Sequence, residues 1–211
     1  MLRNAERSSI FAEEVELASF MTPRLVQRLD FLDEVCAGKR VLHLGCADSP
    51  YTDEAIAAGT LLHGRLSMIA ASVTGLDGDP EGLEKLRVAG YSDLVVGDLE
   101  KLDEAGLEKN FDVIVAGEII EHLNNPGIFL EGVRSLMNPS TKLVVTTINA
   151  YCGMRAIYYS LTRGKGTHEP VHPDHVAYYS YSTLNLLLKR HDLAVDDFLF
   201  YDMGTDHRKV T

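Results

Sequence analysis

The chain has 211 residues, of which 45% are hydrophobic, so it can bury a core and form one domain or one domain with a cap. Its formal net charge of −11 weighs against a nucleic-acid binder, whose phosphate contacts need clustered Lys and Arg. The three cysteines form no CxxC pair and no apolar run is as long as a membrane span, which predicts a cytoplasmic protein without a zinc knuckle or a membrane segment.

Helical spacing of apolar residues predicts an N-terminal helical cap over residues 1–38. Strands and helices then alternate, which is typical of a doubly wound α/β fold with a mostly parallel sheet. In such a sheet the carboxyl ends of the strands share one edge, where we expect the ligand. The predicted strands are 40–45, 73–77, 93–97, 111–116, 142–148 and 195–201, and the predicted helices are 52–58, 62–70, 80–89, 118–123, 126–137 and 182–191.

The alternation breaks over residues 151–181, which are rich in tyrosine, histidine and the helix breakers Gly and Pro. An insertion between the fifth strand and the last helix is a common place for a loop that covers an active site. We therefore expect a single domain over residues 1–211. Its parts are the cap (1–38), a cofactor-binding core (39–150), a lid or acceptor insertion (151–181), and a C-terminal helix and strands (182–211).

The segment from Val41 to Ser49 joins a buried strand to a tight turn of small residues. Gly45, Cys46 and Ala47 occupy this turn, and a glycine here lets the backbone approach a ligand. Taken alone, the turn is equally typical of an ordinary connection between a strand and a helix.

Acidic residues end the next two predicted strands. Asp77 is the last residue of the second strand, where a carboxylate can accept hydrogen bonds from both ribose hydroxyls. Asp79, before Pro80, is the better helix cap. Asp98 follows the third strand and can accept from an exocyclic amine such as that of adenine, while Leu99 can lie against the ring. Together with the turn of small residues, these acids suggest a cofactor that contains adenosine.

The fourth strand leads into the segment Glu118-Ile119-Ile120-Glu121-His122. If the segment is helical, Glu118, Glu121 and His122 share one face, where they could bind a metal or act as acid and base. Alternatively, Glu118 contacts the cofactor while Glu121 and His122 form a local pair. We favour this alternative, without a metal, because sites for hard metal ions need more ligands.

Three histidines, His168, His172 and His175, lie close together in the insertion. A histidine cluster over an active site is typical of a general base or of acceptor recognition. The same residues could equally make structural hydrogen bonds within a lid. The tyrosines at 178–181 could stack on a ring or a sugar, or could simply pack.

The order of these motifs resembles that of the class I S-adenosylmethionine-dependent methyltransferases over about residues 39–202. HLGCADS is similar to the family's D-x-G-x-G-x-G loop, with His43 in place of the acid and Ala47 and Ser49 in place of the later glycines. VTGLDGDP, VVGDLEKL and FDVIVAGEIIEHLNNPGIFLEGVRSLMNP are similar to the motifs that follow. VHPDHVAYYSYSTLNLLLKRHDL resembles methyltransferases from polysaccharide and natural-product gene clusters.

The resemblance implies a Rossmann-like fold and S-adenosyl-L-methionine as the cofactor. The family's seventh strand forms an antiparallel hairpin with the sixth, and only residues 207–211 remain for it in this chain. The residues expected to bind the cofactor are Gly45, Cys46, Ala47, Asp77, Gly78, Asp98, Leu99 and Glu118.

The expected acceptor is a small hydroxylated or amino compound, such as a sugar, a polysaccharide precursor or a natural product, with His122 or His175 as the catalytic base. Two alternatives stay open, and no oligomeric state is predicted. A metal-dependent RNA 3′-end 2′-O-methyltransferase would hold its ion with Glu118, Glu121, His122 and one of His172 or His175. A non-catalytic homologue would keep the fold and only bind the cofactor.

Overall fold

The computed structural model describes residues 24–165 and 172–202. The chain divides into two compact units. One is Leu32–Ala194, and the other comprises Met1–Phe31 and Val195–Thr211. The predicted organisation as one domain stays a prediction, and each unit is described by itself.

The larger unit is built on a parallel sheet of five strands, which lie in the spatial order Leu94–Val96, Ser72–Asp77, Arg40–Leu44, Val113–Gly117 and Lys142–Thr146. Its central strand carries three apolar residues, Val41, Leu42 and Leu44, which are at most 1% exposed. The predicted mostly parallel, doubly wound sheet is confirmed. The strands are β2 (Arg40–Leu44), β3 (Ser72–Asp77), β4 (Leu94–Val96), β5 (Val113–Gly117) and β6 (Lys142–Thr146).

Helices pack against this sheet and bury its apolar residues. Leu32 and Leu66 pack with Val41 and Val113 of the sheet in one buried cluster. A second cluster holds residues of the first loop, including Ala47, and of the helices that follow it. The helices are α1 (Arg28–Cys36), α2 (Thr52–Ala58), α3 (Leu62–Ile69), α4 (Pro80–Val88), α5 (Pro126–Leu136), α6 (Gly153–Thr162), α7 (Tyr181–Arg190) and a 3-10 helix (Leu99–Glu104).

Local capping residues fix the first residues of two helices, α4 and α7. Pro80 occupies the first turn of α4, and the Asp79 carboxylate accepts a hydrogen bond from the Glu81 amide at 3.0 Å, which confirms Asp79 as the cap. Ser180 and Thr183 form a reciprocal capping box at the start of α7. In the described part of the chain, every helix is too short or too polar to cross a membrane.

The predicted helix over residues 118–123 is wrong. Glu118 has a φ of 54°, which lies in the left-handed region and ends β5 in a turn. The His122 amide donates to the Ile119 carbonyl at 2.9 Å, so the segment closes as a turn and α5 begins only at Pro126. The insertion contains the helix α6, which was not predicted because Gly and Pro residues are frequent in this part of the sequence.

In the smaller unit, β1 (Arg24–Gln27) and β7 (Leu199–Asp202) pair in parallel, with Leu25 opposite Phe200. The predicted helix is therefore wrong over residues 24–27, where a short apolar run does not distinguish a strand from a helix. Residues 1–23 of the predicted cap and the expected hairpin at 207–211 lie outside the described residues.

Candidate active site

The small-residue turn after β2 is held against the end of β3. The Gly45 amide donates to the Leu76 carbonyl at 2.8 Å, and the Ala47 amide donates to Asp77 Oδ2 at 2.8 Å. Asp77 Oδ1 accepts from the Asp79 amide at 2.9 Å. Because each carboxylate oxygen has a second acceptor position, Asp77 can still accept from two ribose hydroxyls. The structure thus brings together the loop and the acid that the sequence predicted as cofactor ligands.

The shape of this turn requires glycine. Gly45 has a φ of 70°, and a Cβ added there would overlap the Ile119 side chain. On the neighbouring strand ends, a Cβ on Gly78 would lie 3.7 Å from the Gly97 carbonyl oxygen. That distance is an ordinary van der Waals contact, so the positive φ makes glycine the favoured residue at Gly45 but not at Gly78.

Cys46 lies in the predicted cofactor loop but is only 1% exposed. Burial, followed by the nearby Asp77 carboxylate, raises the pKa of its thiol to about 12. The thiol therefore stays protonated at neutral pH and packs in the core. A contact of Cys46 with a cofactor would come from its backbone.

Asp98 caps a helix, a role that the sequence analysis did not assign to it. It is exposed at the end of β4, next to Gly97, whose amide donates to the Asp77 carbonyl at 2.9 Å. Asp98 Oδ1 accepts from the Glu100 amide at 2.8 Å and so caps the 3-10 helix that begins at Leu99. Its Oδ2 makes no hydrogen bond with any residue that the structure describes, so capping leaves one oxygen for an adenine amine.

The turn after β5 contains two acids in different environments. Glu118 is half-buried, and its amide donates to the Thr146 carbonyl at 2.9 Å. Glu121 is 0% exposed, and its Oε2 accepts from the Thr147 hydroxyl at 2.9 Å. Burial, with the Glu118 carboxylate adding to it, raises the pKa of Glu121 to about 7.

Residues of the insertion pack directly on this turn. The Val176 amide donates to the Glu121 carbonyl at 2.9 Å, and the Ala150 amide donates to the Tyr179 carbonyl at 2.8 Å. The second catalytic candidate, His175, thereby reaches the first, His122, and their ring centroids are 4.6 Å apart. Part of the insertion therefore lies beside the turn at residues 118–122, called here the ExxEH turn.

The rings of His122, His172 and His175 form a cluster beside this turn. His122 is exposed, and its Nδ1 donates to the Asp174 carbonyl at 3.1 Å, because a carbonyl can only accept. Its Nε2 is therefore the acceptor nitrogen when the ring is neutral. Burial, followed by the neighbouring His122 and His172, lowers the pKa of His175. His168, the other predicted member, lies outside the described residues.

Glu121, His122 and His175 each place one ligand atom within 4.8 Å of the others. Glu121 Oε1 and His175 Nδ1 are buried and have no hydrogen-bond partner among the described residues. One carboxylate and two imidazoles are a donor set that suits a divalent transition-metal ion. The set therefore fits a cation, and the expectation of no metal stays a prediction.

His43, which stands where the resemblance expects an acid, points into the core. It is 3% exposed, and its Nδ1 lies 3.3 Å from Nδ1 of His63, which is 1% exposed. Burial lowers the pKa of His63 to about 4, so this ring is neutral at physiological pH. The histidine pair supports the strand beneath the loop and does not offer a polar group to the cofactor.

The sequence analysis did not single out His63 or Arg155, whose side chains are both buried. His63 lies on the amphipathic helix α3, and Arg155 lies on α6 with 9% of its surface exposed. A single polar residue in an amphipathic segment carries no sequence signal, because only the fold shows whether it faces the core.

Comparison with known proteins places this geometry in a family. A family model described as a methyltransferase domain matches residues 17–197. The ubiquinone biosynthesis O-methyltransferase of Hahella chejuensis is 32% identical over 157 residues, which cover 67% of this chain and 60% of that protein. The mitochondrial enzyme of the same name from Schizosaccharomyces pombe is 31% identical over 133 residues, which cover 58% and 44%. The chain spans about half the length of the curated relatives it matches.

Solved structures share the fold at low sequence identity. A SAM-dependent methyltransferase from Aquifex aeolicus superposes with a TM-score of 0.53 at 18% identity and covers 77% of each chain. One from Archaeoglobus fulgidus gives a TM-score of 0.52 at 19% identity and covers 78% of this chain and 65% of the other. At this identity the likeness supports the fold alone.

Proposed function

Because the chain belongs to the class I S-adenosylmethionine-dependent methyltransferases, we propose that it transfers a methyl group to a hydroxyl oxygen of a small acceptor. The observation that carries the proposal is His122, whose Nδ1 is engaged by the Asp174 carbonyl so that Nε2 can accept a proton. The relatives described above are named as O-methyltransferases, which favours a hydroxyl over an amine. A phenol, a sugar or another hydroxylated natural product meets this requirement.

The residues at the carboxyl edge of the sheet would bind and orient the cofactor. S-adenosylmethionine, when bound, supplies a methyl group already activated on a sulfonium sulfur. Asp77 would accept from the ribose hydroxyls, and the turn at Gly45 would let the backbone approach. Asp98 and Leu99 would lie at the adenine. Catalysis then depends mainly on holding the acceptor oxygen in line with the methyl carbon and the sulfur.

The acceptor hydroxyl must lose a proton as its oxygen is methylated. His122 Nε2 would take this proton while the Asp174 carbonyl holds the ring by Nδ1. His175 stays neutral near pH 7 because its pKa is lowered, so it adds no positive charge that would oppose protonation of His122. Part of the Glu121 population is ionised near its pKa of about 7 and would stabilise the imidazolium.

The test is transfer of radiolabelled methyl groups to catechol and to 1,2-diaminobenzene. We expect methylated catechol from the wild-type protein and a kcat lowered on the order of 100-fold in His122→Gln, with unchanged affinity for S-adenosylhomocysteine. His191→Gln, at the end of α7, is the matched control. Transfer to the diamine alone, or full activity in His122→Gln, would contradict the proposal.

A second candidate is a metal-assisted reaction, which includes methylation of an RNA 3′-end. Its support is the grouping of Glu121, His122 and His175 within 4.8 Å and the two buried atoms that lack partners among the described residues. A cation held there would supply Lewis acidity to the acceptor oxygen. The acidic net charge of −11 weighs against the RNA acceptor.

Metal content and activity are measured before and after dialysis against EDTA, with Mg²⁺, Mn²⁺ or Zn²⁺ then added back. The metal-assisted candidate predicts stoichiometric metal, loss of activity on chelation and loss of metal in Glu121→Gln. Full activity without metal, and no transfer to RNA, would eliminate it and leave the imidazole as the base.

A further inference from the structure

Arg155 is a buried cation that makes no ion pair with any residue that the structure describes. It lies on α6 with 9% of its surface exposed. Its guanidinium carbon lies 3.5 Å from the centroid of the Tyr178 ring, a cation–π contact that offsets only part of the cost of burial. A guanidinium that is buried in this way is typical of a site completed by an anion.

The Arg155 guanidinium makes hydrogen bonds with described residues through Nη1 alone. Nη1 donates to the Asn149 carbonyl at 3.1 Å and lies 3.2 Å from the Cys152 sulfur. Nε is buried, and neither it nor Nη2 donates to any described residue. The Nε and Nη2 donors form the side-on fork that binds the two oxygens of a carboxylate.

Tyr178 lies between the Arg155 guanidinium and the candidate catalytic histidines. The Tyr178 hydroxyl is buried and has no partner among the described residues. The Tyr178 ring lies 5.8 Å from that of His175, which lies 4.6 Å from His122. Arg155, Tyr178 and the histidines therefore line one continuous region beside the ExxEH turn.

We propose that Arg155 and the Tyr178 hydroxyl bind a carboxylate of the acceptor, so that the enzyme selects a hydroxylated carboxylic acid. This inference rests on the proposed function, because it adds a carboxylate to the hydroxylated acceptor proposed there. Two guanidinium donors and one hydroxyl donor match a planar carboxylate with one negative charge. In a chain with a net charge of −11, a buried arginine also supplies the local attraction that an anionic acceptor needs.

The experiment compares 3,4-dihydroxybenzoate with 3,4-dihydroxybenzamide, which keeps the ring and the hydroxyls but has no charge. Each is titrated calorimetrically into the full chain, with and without saturating S-adenosylhomocysteine. We expect the wild-type protein to bind the benzoate on the order of 100-fold more tightly than the amide, as lost charged hydrogen bonds imply. Arg155→Met should bring this ratio close to 1, and Arg155→Lys should restore only part of it.

Arg134→Met is the matched control, because Arg134 is an exposed arginine on α5 and should leave the ratio unchanged. If Arg155 only held the insertion in place, Arg155→Met would weaken both ligands equally and the proposal would be wrong. Equal wild-type affinities, or no binding of either ligand while S-adenosylhomocysteine binds, would also overturn it. Absence of S-adenosylhomocysteine binding would instead count against the proposed function, and the titrations without it would then decide the carboxylate site.

Discussion

Gly45 is the single residue on which the shape of the cofactor loop depends most. Its φ of 70° is strained for any residue with a side chain, and an added Cβ would also overlap the end of the Ile119 side chain, which would have to move. Gly38 provides the comparison, because it has a φ of 67° and open space around it. A comparison of alanine substitutions at the two glycines therefore distinguishes the cost of backbone strain from the cost of steric overlap.

We predict that Gly38→Ala lowers the free energy of unfolding by about 1–2 kcal/mol, the cost of a left-handed backbone. Gly45→Ala should cost roughly 1–3 kcal/mol more, because overlap with Ile119 adds to the strain. It should also weaken binding of S-adenosylhomocysteine, which Gly38→Ala should not. Urea unfolding and titration calorimetry measure both effects. Equal losses of stability in the two variants would mean that the loop has room for a side chain.

The buried His43–His63 pair makes stability depend on pH. The pKa of His63 is about 4 in the folded protein and 6.5 as its ordinary value, so below pH 6.5 the unfolded chain takes up a proton that the folded chain does not. Stability is therefore lost as the pH falls from 6.5 towards 4. The shift corresponds to about 3 kcal/mol in all.

We predict that the free energy of unfolding of the wild-type protein falls between pH 6.5 and 4.5 by about 2 kcal/mol more than that of His63→Phe, in which this titration is absent. Carboxylates titrate in the same range in both proteins, so the difference between the two curves isolates His63. Parallel curves would show that the imidazole remains accessible to a proton in the folded state.

At the scale of elements, the sequence was informative where one rule dominates. Apolar runs that end in Gly or Asp predicted four of the five parallel strands, an apolar run that ends in threonines predicted β6, and Asp79 before Pro80 predicted a helix start. The prediction failed over residues 118–123, where local spacing suits a helix but the left-handed Glu118 ends the strand in a turn. It failed again over residues 24–27, where pairing with a distant strand overrides the local pattern.

The residues of the candidate site also differ in how far the sequence could predict their positions. The closeness of Asp77 and Asp98 could be predicted because strand ends meet at one edge of a parallel sheet. The approach of His175 to His122 was suggested only by the resemblance to metal-dependent methyltransferases. Its continuation to Arg155 could not be predicted, because it depends on how the insertion folds back on the turn. Sequence spacing carries no information on such a contact.

Helix α7 offers a test of how the C-terminal part of the insertion is fixed. The Ser180 side chain accepts from the Thr183 amide at 3.3 Å as one half of the capping box. We predict that Ser180→Ala lowers the free energy of unfolding by about 1 kcal/mol. Ser135→Ala, on the exposed side of α5, should change it by less than about 0.5 kcal/mol. Denaturant midpoints measure both, and similar values for the two variants would mean that the cap contributes nothing.

For the whole molecule, the central claim is that the carboxyl edge of the parallel sheet is an S-adenosylmethionine site. The fold, the matched family and the loop held to Asp77 agree on this point. The proposed roles of His122 and His175, the metal candidate and the proposed carboxylate site all depend on it, because each is placed relative to that edge.

The most direct measurement is titration calorimetry of S-adenosylhomocysteine with the wild-type protein, Asp77→Asn and Asp103→Asn. The account predicts binding at one site in the wild-type protein and an affinity roughly 10- to 100-fold lower in Asp77→Asn, because charge-assisted hydrogen bonds to the ribose are lost. Asp103→Asn, in the exposed part of the 3-10 helix, should bind as the wild-type protein does. No heat from the wild-type protein, or equal affinity in Asp77→Asn, would contradict the account.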